Sequence, residues 1–435
     1  MNRRTFTGIN TMGALGSALP ARFVSAETKR NDTIREPSKE LDVIDSADII
    51  ILGGGPAGCA AAIAAGRLGA DVLLVERYGY LGGLSTGGLV ILIGEYDRRM
   101  TGLPNEFVKR FLESGEARFN EYINRRVPDE PICNPEMLKY TYFDMAEKAG
   151  VRFLFHAWAV GAHVVGDRIE GIIIESKSGR QALRGKLIID CTGDGDTAQW
   201  AGVPYENTIS SWSLGLDELL ANVDFDKYKH FMKYKNEEWK KLMADARKGE
   251  IGWAPWETWS NDIAWINTSS PGDALNVKDI TNCEINLRKR LMKHLDFFRK
   301  NIPGFESATV NQTASQTGVR VSRRIIGEVV MTVEDLKAGK YEDKIAMHLI
   351  ERGGELKGLP YRALVPQKIN NLLYAGRCVS TTQDAQNVVR GISACWTYGQ
   401  AAGVAATLSV RENRSPRNLE IGTIQAELRR QGVKI

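Results

Sequence analysis

The segment ADIIILGGGPAGCAAA, residues 47–62, constrains the fold more than any other stretch of the chain. Its apolar start reads as a buried parallel strand, which needs cover on both faces. Three glycines and a proline then interrupt the strand, and alanine-rich sequence resumes at once as a helix. Gly53, Gly55 and Gly58 satisfy G-x-G-x-x-G. In that pattern the first glycine permits the tight turn, the second lets a pyrophosphate approach bare main chain, and the third lets helix and strand pack closely. Pro56 and Ala57 open the helix, whose unpaired N–H groups point at the phosphates. ADVLLVE follows as a second strand and ends in Glu76, with Arg77 behind it. That is about 20 residues past the turn, where an acid receives ribose hydroxyls. The order strand, glycine turn, helix, strand, acid predicts a Rossmann-like α/β domain that binds a dinucleotide.

Three further segments narrow the choice of dinucleotide. RYGYLGGLSTGG carries a glycine doublet, Gly82-Gly83, followed by Ser85. GKLIIDCTGDGDTAQWAG is a strand running into Gly193 and Asp194. NNLLYAGRCVS is another strand, ending in Gly376 and Arg377, and it precedes the small-residue helix RGISACWTYGQAAGVAATL. With these segments, the chain from about residue 47 to 410 resembles the FAD-dependent oxidoreductase family of glutathione-reductase-type fold. It is most similar to a bacterial subgroup with the pattern NPEMLKY…AGVRFLFH…GRQALRGKLIIDCTGDGD…GVRVSRRIIGE…LPYRALVPQKINNLLYAGRC. The resemblance implies FAD rather than NAD. It implies that Gly53, Gly55 and Gly58, with Pro56 and Ala57, cradle the pyrophosphate and that Glu76, with Arg77, holds the adenosine ribose. It further implies that Gly82, Gly83 and Ser85 line the FAD, that Val160 sits near the adenine, and that Gly193 and Asp194 form a second glycine motif. Gly376 and Arg377 are expected by the pyrophosphate and ribityl chain. No histidine stands in an H-P-T-like context for covalent attachment, so noncovalent FAD is expected.

Gly193, Gly195 and Ala198 also fit G-x-G-x-x-G/A, but the expected helix, strand and distal acid do not follow. AGVPYENTIS is loop-like, with Pro204 and an early Glu206. A second Rossmann domain is therefore not expected, and electrons should pass through a small-molecule substrate or a protein or quinone acceptor.

The remaining chain is read as a fold of the two-dinucleotide-binding type, a parallel sheet plus an antiparallel meander, with an α+β cap inserted. Residues 47–204 form the first part of the FAD-binding domain, 205–310 the substrate or cap domain, and 311–435 the second part with a C-terminal helix. NPEMLKYTYFDMAEKAG has helical spacing, and VRFLFHAWAVGAHVVGDRIEGIIIES alternates as a meander turning at GDR. Trp253, Trp256, Trp259 and Trp265 cluster in the cap segment. Two roles are open to them: platforms for a sugar or another flat substrate, or packing of cap onto core.

A flavin carries its own redox chemistry, so the protein must position a substrate and stabilise developing charge. In TGVRVSRRIIGE, helical spacing would put Arg320 on one face with Arg323 or Arg324. Their guanidinium forks suit a substrate carboxylate or a negatively charged reduced flavin, or alternatively ion pairs at the cap interface. Tyr361, beside Arg362, is a candidate proton donor or acceptor, and His348 a candidate base or a structural residue. The expected activity is oxidoreduction of a small polar organic substrate. The alternatives are a flavin monooxygenase and a non-catalytic electron-transfer subunit.

Composition sets outer limits. A net charge of +4 on 435 residues, with Lys and Arg scattered, does not favour nucleic acid. The six cysteines show no CxxC pair and read as small buried residues, not metal ligands. Arg3-Arg4, Phe6, a mildly apolar stretch and Val24-Ser25-Ala26 form a twin-arginine-like signal over residues 1–26, followed by a charged linker at 27–46. Export in the folded state to the periplasm is expected from it, or a cytoplasmic location if residues 1–26 are ordinary helical sequence. No stretch reaches the length of a membrane-spanning helix. Oligomeric state leaves no mark on the sequence.

Overall fold

Strand β1 (Val43–Leu52), helix α1 (Pro56–Arg67) and strand β2 (Val72–Glu76) form the expected β-α-β unit, with β1 and β2 parallel. They are seen in a computed structural model that describes residues 33–119, 130–248, 254–351 and 353–435. The signal-like residues 1–26 and Trp253 lie outside the described residues. Residues 33–40 are exposed and without regular structure, whereas Leu41–Ile435 forms one unit. β1 starts at Val43, inside the segment read as linker, because Val43 already pairs with Ala182.

The main sheet has seven strands. Besides β1 and β2 it contains β3 (Arg152–Phe155), β4 (Trp158–Val165), β5 (Arg168–Ser176), β6 (Gly179–Asp190) and β7 (Leu372–Tyr374). The order is β3-β2-β1-β6-β5-β4, and β7 joins β6 beyond the point where β5 leaves it. The expected meander is therefore β4–β5–β6, turning at Gly166, while β3 pairs parallel with β2. Five strands, β3, β2, β1, β6 and β7, run parallel and deliver their carboxyl ends to one edge. In open α/β sheets that edge is where ligands bind.

Helices cover the sheet. NPEMLKYTYFDMAEKAG forms α2 (Pro135–Lys148), capped by the Asn134 side chain and closed at Gly150. The short helix α3 (Asp196–Ala201) follows β6, but the next strand, Tyr205–Asn207, pairs antiparallel with Arg323–Ile325 and not with the main sheet. The Gly193–Ala198 pattern thus starts no second β-α-β unit. The 25-residue helix α4 (Val277–Asn301) and the helices Phe225–Tyr234 and Asn236–Lys248 account for the charged stretches of the cap segment.

The last long helix, α5 (Ile392–Glu412), is buried along almost its whole length and lies against α1. Small residues make the approach possible: a Cβ on Gly399 would stand 2.1 Å from the Ala57 carbonyl oxygen, and one on Gly403 2.3 Å from that of Ala61. The alanine-rich α1 sequence serves this contact. All six cysteines are buried and unpaired, and no helix among the described residues is long and apolar enough to cross a membrane.

Candidate functional site

The carboxyl ends of β1, β2, β6 and β7 open into a cavity of about 370 Å³. Gly53, Gly55, Pro56 and Ala57 line it from the first turn, and Glu76 and Arg77 from the end of β2. Gly53 has φ +96°, and a Cβ there would lie 2.7 Å from the Cys191 carbonyl oxygen, so no side chain fits. Gly55 differs: a Cβ there would meet no protein atom within 4 Å. Its bareness serves no internal packing and leaves main chain open to the cavity. Gly58 does not line the cavity; it lets α1 lie on the turn, since a Cβ would stand 1.9 Å from the Gly53 carbonyl oxygen.

The glycine doublet braces this turn. Gly82 N–H donates to the Gly54 carbonyl at 2.7 Å, and Gly83, packed against Gly55, lines the cavity. Ser85 does not reach it: its hydroxyl is buried and donates to the Gly82 carbonyl. Val160 also stands outside the lining, which β4 and its approach supply through Ala157, Trp158 and Ala159.

Gly193 and Asp194 line the cavity after β6, and Gly376 and Arg377 after β7. Arg377 donates to Asp194 Oδ1 at 2.8 Å and to the Ser322 hydroxyl at 2.8 Å. Burial alone would raise the Asp194 carboxyl; the Arg377 charge and the bonds from Ser322 and Arg377 outweigh it and hold the group below its ordinary value. Asp196, also in the lining, goes the other way: burial, then the Asp194 and Asp190 charges, raise it to about 7 against the opposing Arg323.

The candidate catalytic residues separate. Residues 318–325 are two short strands, Gly318–Val319 and Arg323–Ile325, joined by three residues without regular structure, not a helix. Arg320 and Arg323 consequently share no face. Arg320 lines the cavity, its guanidinium donating to the carbonyls of Leu214 and Thr268 and to Asn267. Arg323 lies outside the lining, paired with Asp196 at 3.0 Å and stacked on Tyr205. Arg324 binds Glu206, Thr208 and Gln383. Tyr361 is buried away from the cavity; its hydroxyl donates to the Pro416 carbonyl, and burial pushes the phenol well above its ordinary value. His348 is fully buried, makes no hydrogen bond, and is lowered to about 4 by burial. Neither can exchange protons with a ligand in this cavity.

Several lining residues carry no motif. Arg390, immediately before α5, is pushed down to about 10 by burial, and its Nε has no partner. The N-cap of α5, Gly391, offers no side chain to the helix N–H groups and lines the cavity, with the Glu95 carboxylate close beside it. Gly215, Asp217, Trp265, Asn267 and Gln316 line another part of the wall together with Arg320. Of the clustered tryptophans, Trp256 packs edge-on against Trp265, and Trp265 reaches the cavity.

A family model described as "FAD dependent oxidoreductase" matches residues 48–428 of this chain. Among curated relatives, the 3-oxo-5-alpha-steroid 4-dehydrogenase of Comamonas testosteroni is 31% identical over 116 residues, 26% of this chain and 21% of that protein. The dihydrolipoyl dehydrogenase of Manduca sexta is 33% identical over 94 residues, 21% of this chain and 19% of that protein. The matched region thus spans about a fifth of each curated relative. Among solved structures, a geranylgeranyl bacteriochlorophyll reductase-like protein from Thermoplasma acidophilum superposes with a TM-score of 0.48 at 16% identity, covering 88% of this chain and 83% of that one. The p-nitrophenol 4-monooxygenase of Pseudomonas putida gives 0.48 at 12% identity, covering 88% and 84%.

Proposed function

Because this chain belongs to the FAD-dependent oxidoreductase family, with FAD as its cofactor, we propose that it oxidises or reduces a small polar organic substrate held in the cavity beside noncovalently bound FAD. The observation that carries the reading is the open main chain at Gly55, in a wall shared with Glu76, Gly376 and Arg377. A diphosphate is the group that such a bare, N–H-rich turn at a helix start receives. In this reading Gly53, Gly55, Pro56 and Ala57 meet the pyrophosphate and Glu76 the adenosine ribose. Gly376 and Arg377 lie along the ribityl chain, and the N-terminus of α5 with Arg390 faces the flavin ring. The FAD supplies the two-electron chemistry; the chain orients the substrate, excludes water and handles protons. Residues 205–310 act as the cap over the substrate, and the twin-arginine-like start marks the protein for export after folding.

The test is anaerobic. Purified protein should carry a yellow cofactor released by denaturation, and its visible band should bleach with one member of a panel of sugars, hydroxy acids, amines and enoates. A colourless protein that takes up no FAD on reconstitution overturns the reading. Oxygen consumption that depends on both an external reductant and substrate would assign a monooxygenase instead.

A further inference from the structure

The cavity wall supplied by residues 215–320 contains a donor–acceptor pair that the FAD reading leaves unused. The strand Glu218–Ala221 pairs antiparallel with Ala264–Ile266, so that Leu219 stands opposite Trp265 and Glu218 opposite Ile266. Side chains alternate across such a ladder. One residue beyond the paired register, Asp217 and Asn267 therefore fall on the face of Trp265, while Glu218 points the other way and meets His294 Nδ1 at 2.6 Å. The alternation delivers Asp217, Trp265 and Asn267 together to the cavity.

The state of their polar atoms is unusual. Asp217 is 2% exposed; its Oδ1 accepts from Thr268 N–H at 3.0 Å, but its Oδ2 has no hydrogen bond. Trp265 is 3% exposed, and its indole N–H, which neighbours the Asp217 carboxyl, makes no bond of normal geometry either. Buried polar atoms left without a hydrogen bond are costly, so such atoms mark a place where a further group belongs. One atom accepts and the other donates, side by side. A hydroxyl oxygen satisfies both at once, giving its proton to Asp217 Oδ2 and accepting from Trp265 Nε1.

We propose that Asp217 and Trp265 form a subsite for the oxygen of an alcohol and of the carbonyl compound related to it by oxidation, with Asp217 exchanging the proton. With Asp217 ionised, the pair is acceptor plus donor and fits C–OH. With Asp217 protonated, it is donor plus donor and fits C=O. The proposal rests on the oxidoreductase reading for its oxidant. In oxidation, the substrate O–H proton passes to Asp217 Oδ2 while the C–H hydrogen leaves with its bonding pair to bound FAD, and C–O becomes C=O. Reduction reverses each transfer.

The surroundings suit a proton-exchanging acid. Burial raises Asp217 to about 7, against the opposing charge of Arg320 and the bond from Thr268; the Glu218 charge adds to the rise, and the Trp265 indole N–H, directed at the carboxyl from beyond normal hydrogen-bond geometry, opposes it. The other charged or titratable groups near it are held: Arg320 by backbone carbonyls and Asn267, and Glu218 by His294 on α4. Cys283, also near Arg320, is raised to about 11 by burial and stays a thiol.

The test uses the full-length protein with cyclohexanol and cyclohexanone as probes, binding read by intrinsic tryptophan fluorescence between pH 6 and pH 8. A group titrating near 7 changes its protonated fraction about tenfold over that range. The cyclohexanone dissociation constant should accordingly rise about tenfold and that of cyclohexanol fall by a similar factor. Asp217→Asn should abolish both dependences. Trp265→Phe, read by the flavin spectrum or calorimetry, should weaken both probes about fivefold, the worth of one hydrogen bond. Binding that is pH-independent in the unmodified protein, a dependence that persists in Asp217→Asn, or no binding of either probe overturns the subsite. Because the fluorescence readout needs no flavin, FAD-free protein would sink the oxidoreductase reading while these binding data still decide the subsite.

Discussion

The carboxylate of Glu76 accepts the main-chain N–H of Gly54 at 2.7 Å, joining the end of the second strand to the turn after the first. Its other oxygen accepts from Tyr78 N–H at 2.9 Å. Burial raises this carboxyl, and the two backbone bonds oppose the rise without cancelling it. Glu76 is thus a strut for the glycine turn as well as a cavity wall. Glu76→Ala should cost about 2 kcal/mol in stability by leaving the Gly54 and Tyr78 N–H groups unpaired, measured by chemical denaturation of the FAD-free protein. It should also weaken FAD binding. A variant as stable as the parent would remove the strut from the account.

The contact of α1 with α5 relies on missing side chains. Gly399→Ala would put a Cβ against the Ala57 carbonyl, which is rigid helix backbone. Such overpacking costs about 1–3 kcal/mol. Because Ala57 begins the helix that faces the cavity, FAD affinity should fall along with the melting temperature. A stable variant with full FAD affinity would show that α1 can move without disturbing the turn.

His348 gives a prediction of opposite kind. Both ring nitrogens are buried and unbonded, and burial holds its pKa near 4, below the ordinary 6.5. A histidine that protonates more easily unfolded than folded contributes its full stability above about 6.5. That contribution is lost as pH falls through the 6.5-to-4 window. His348→Leu should be neutral or stabilising at pH 7 and should flatten this acid limb in thermal melts. Loss of activity with unchanged flavin content would instead return His348 to the list of chemical candidates.

The reach of the sequence follows from how local each signal is. Gly53, Gly55, Glu76, Gly83, Gly193 and Gly376 belong to short motifs in which spacing alone carries the geometry, and all of them line the cavity. Where a side chain's direction depends on pairing with distant chain, the reading fails. Helical spacing joins Arg320 to Arg323, but no helix forms there and the two go to different partners. Val160 misses the lining by one position beside Ala159, at a shift in strand register between Ala159 and Gly161 that the sequence does not mark. Tyr361 and Ser85 turn inward to backbone carbonyls. Asp217 carries no motif, and its nearness to Trp265 appears only once two short strands are paired. Arg390 was marked by nothing but its place before a small-residue helix.

Gly55→Val asks whether the bare main chain that opens to the cavity at Gly53, Gly55, Pro56 and Ala57 receives the FAD diphosphate. No protein atom lies within 4 Å of a Cβ at Gly55, so the variant should fold with a melting temperature like that of the FAD-free parent. Flavin released from equal amounts of purified parent and variant is then measured by absorbance. The parent should carry close to one FAD per chain and the variant essentially none, even after reconstitution. Equal flavin in both proteins would contradict that role for the turn.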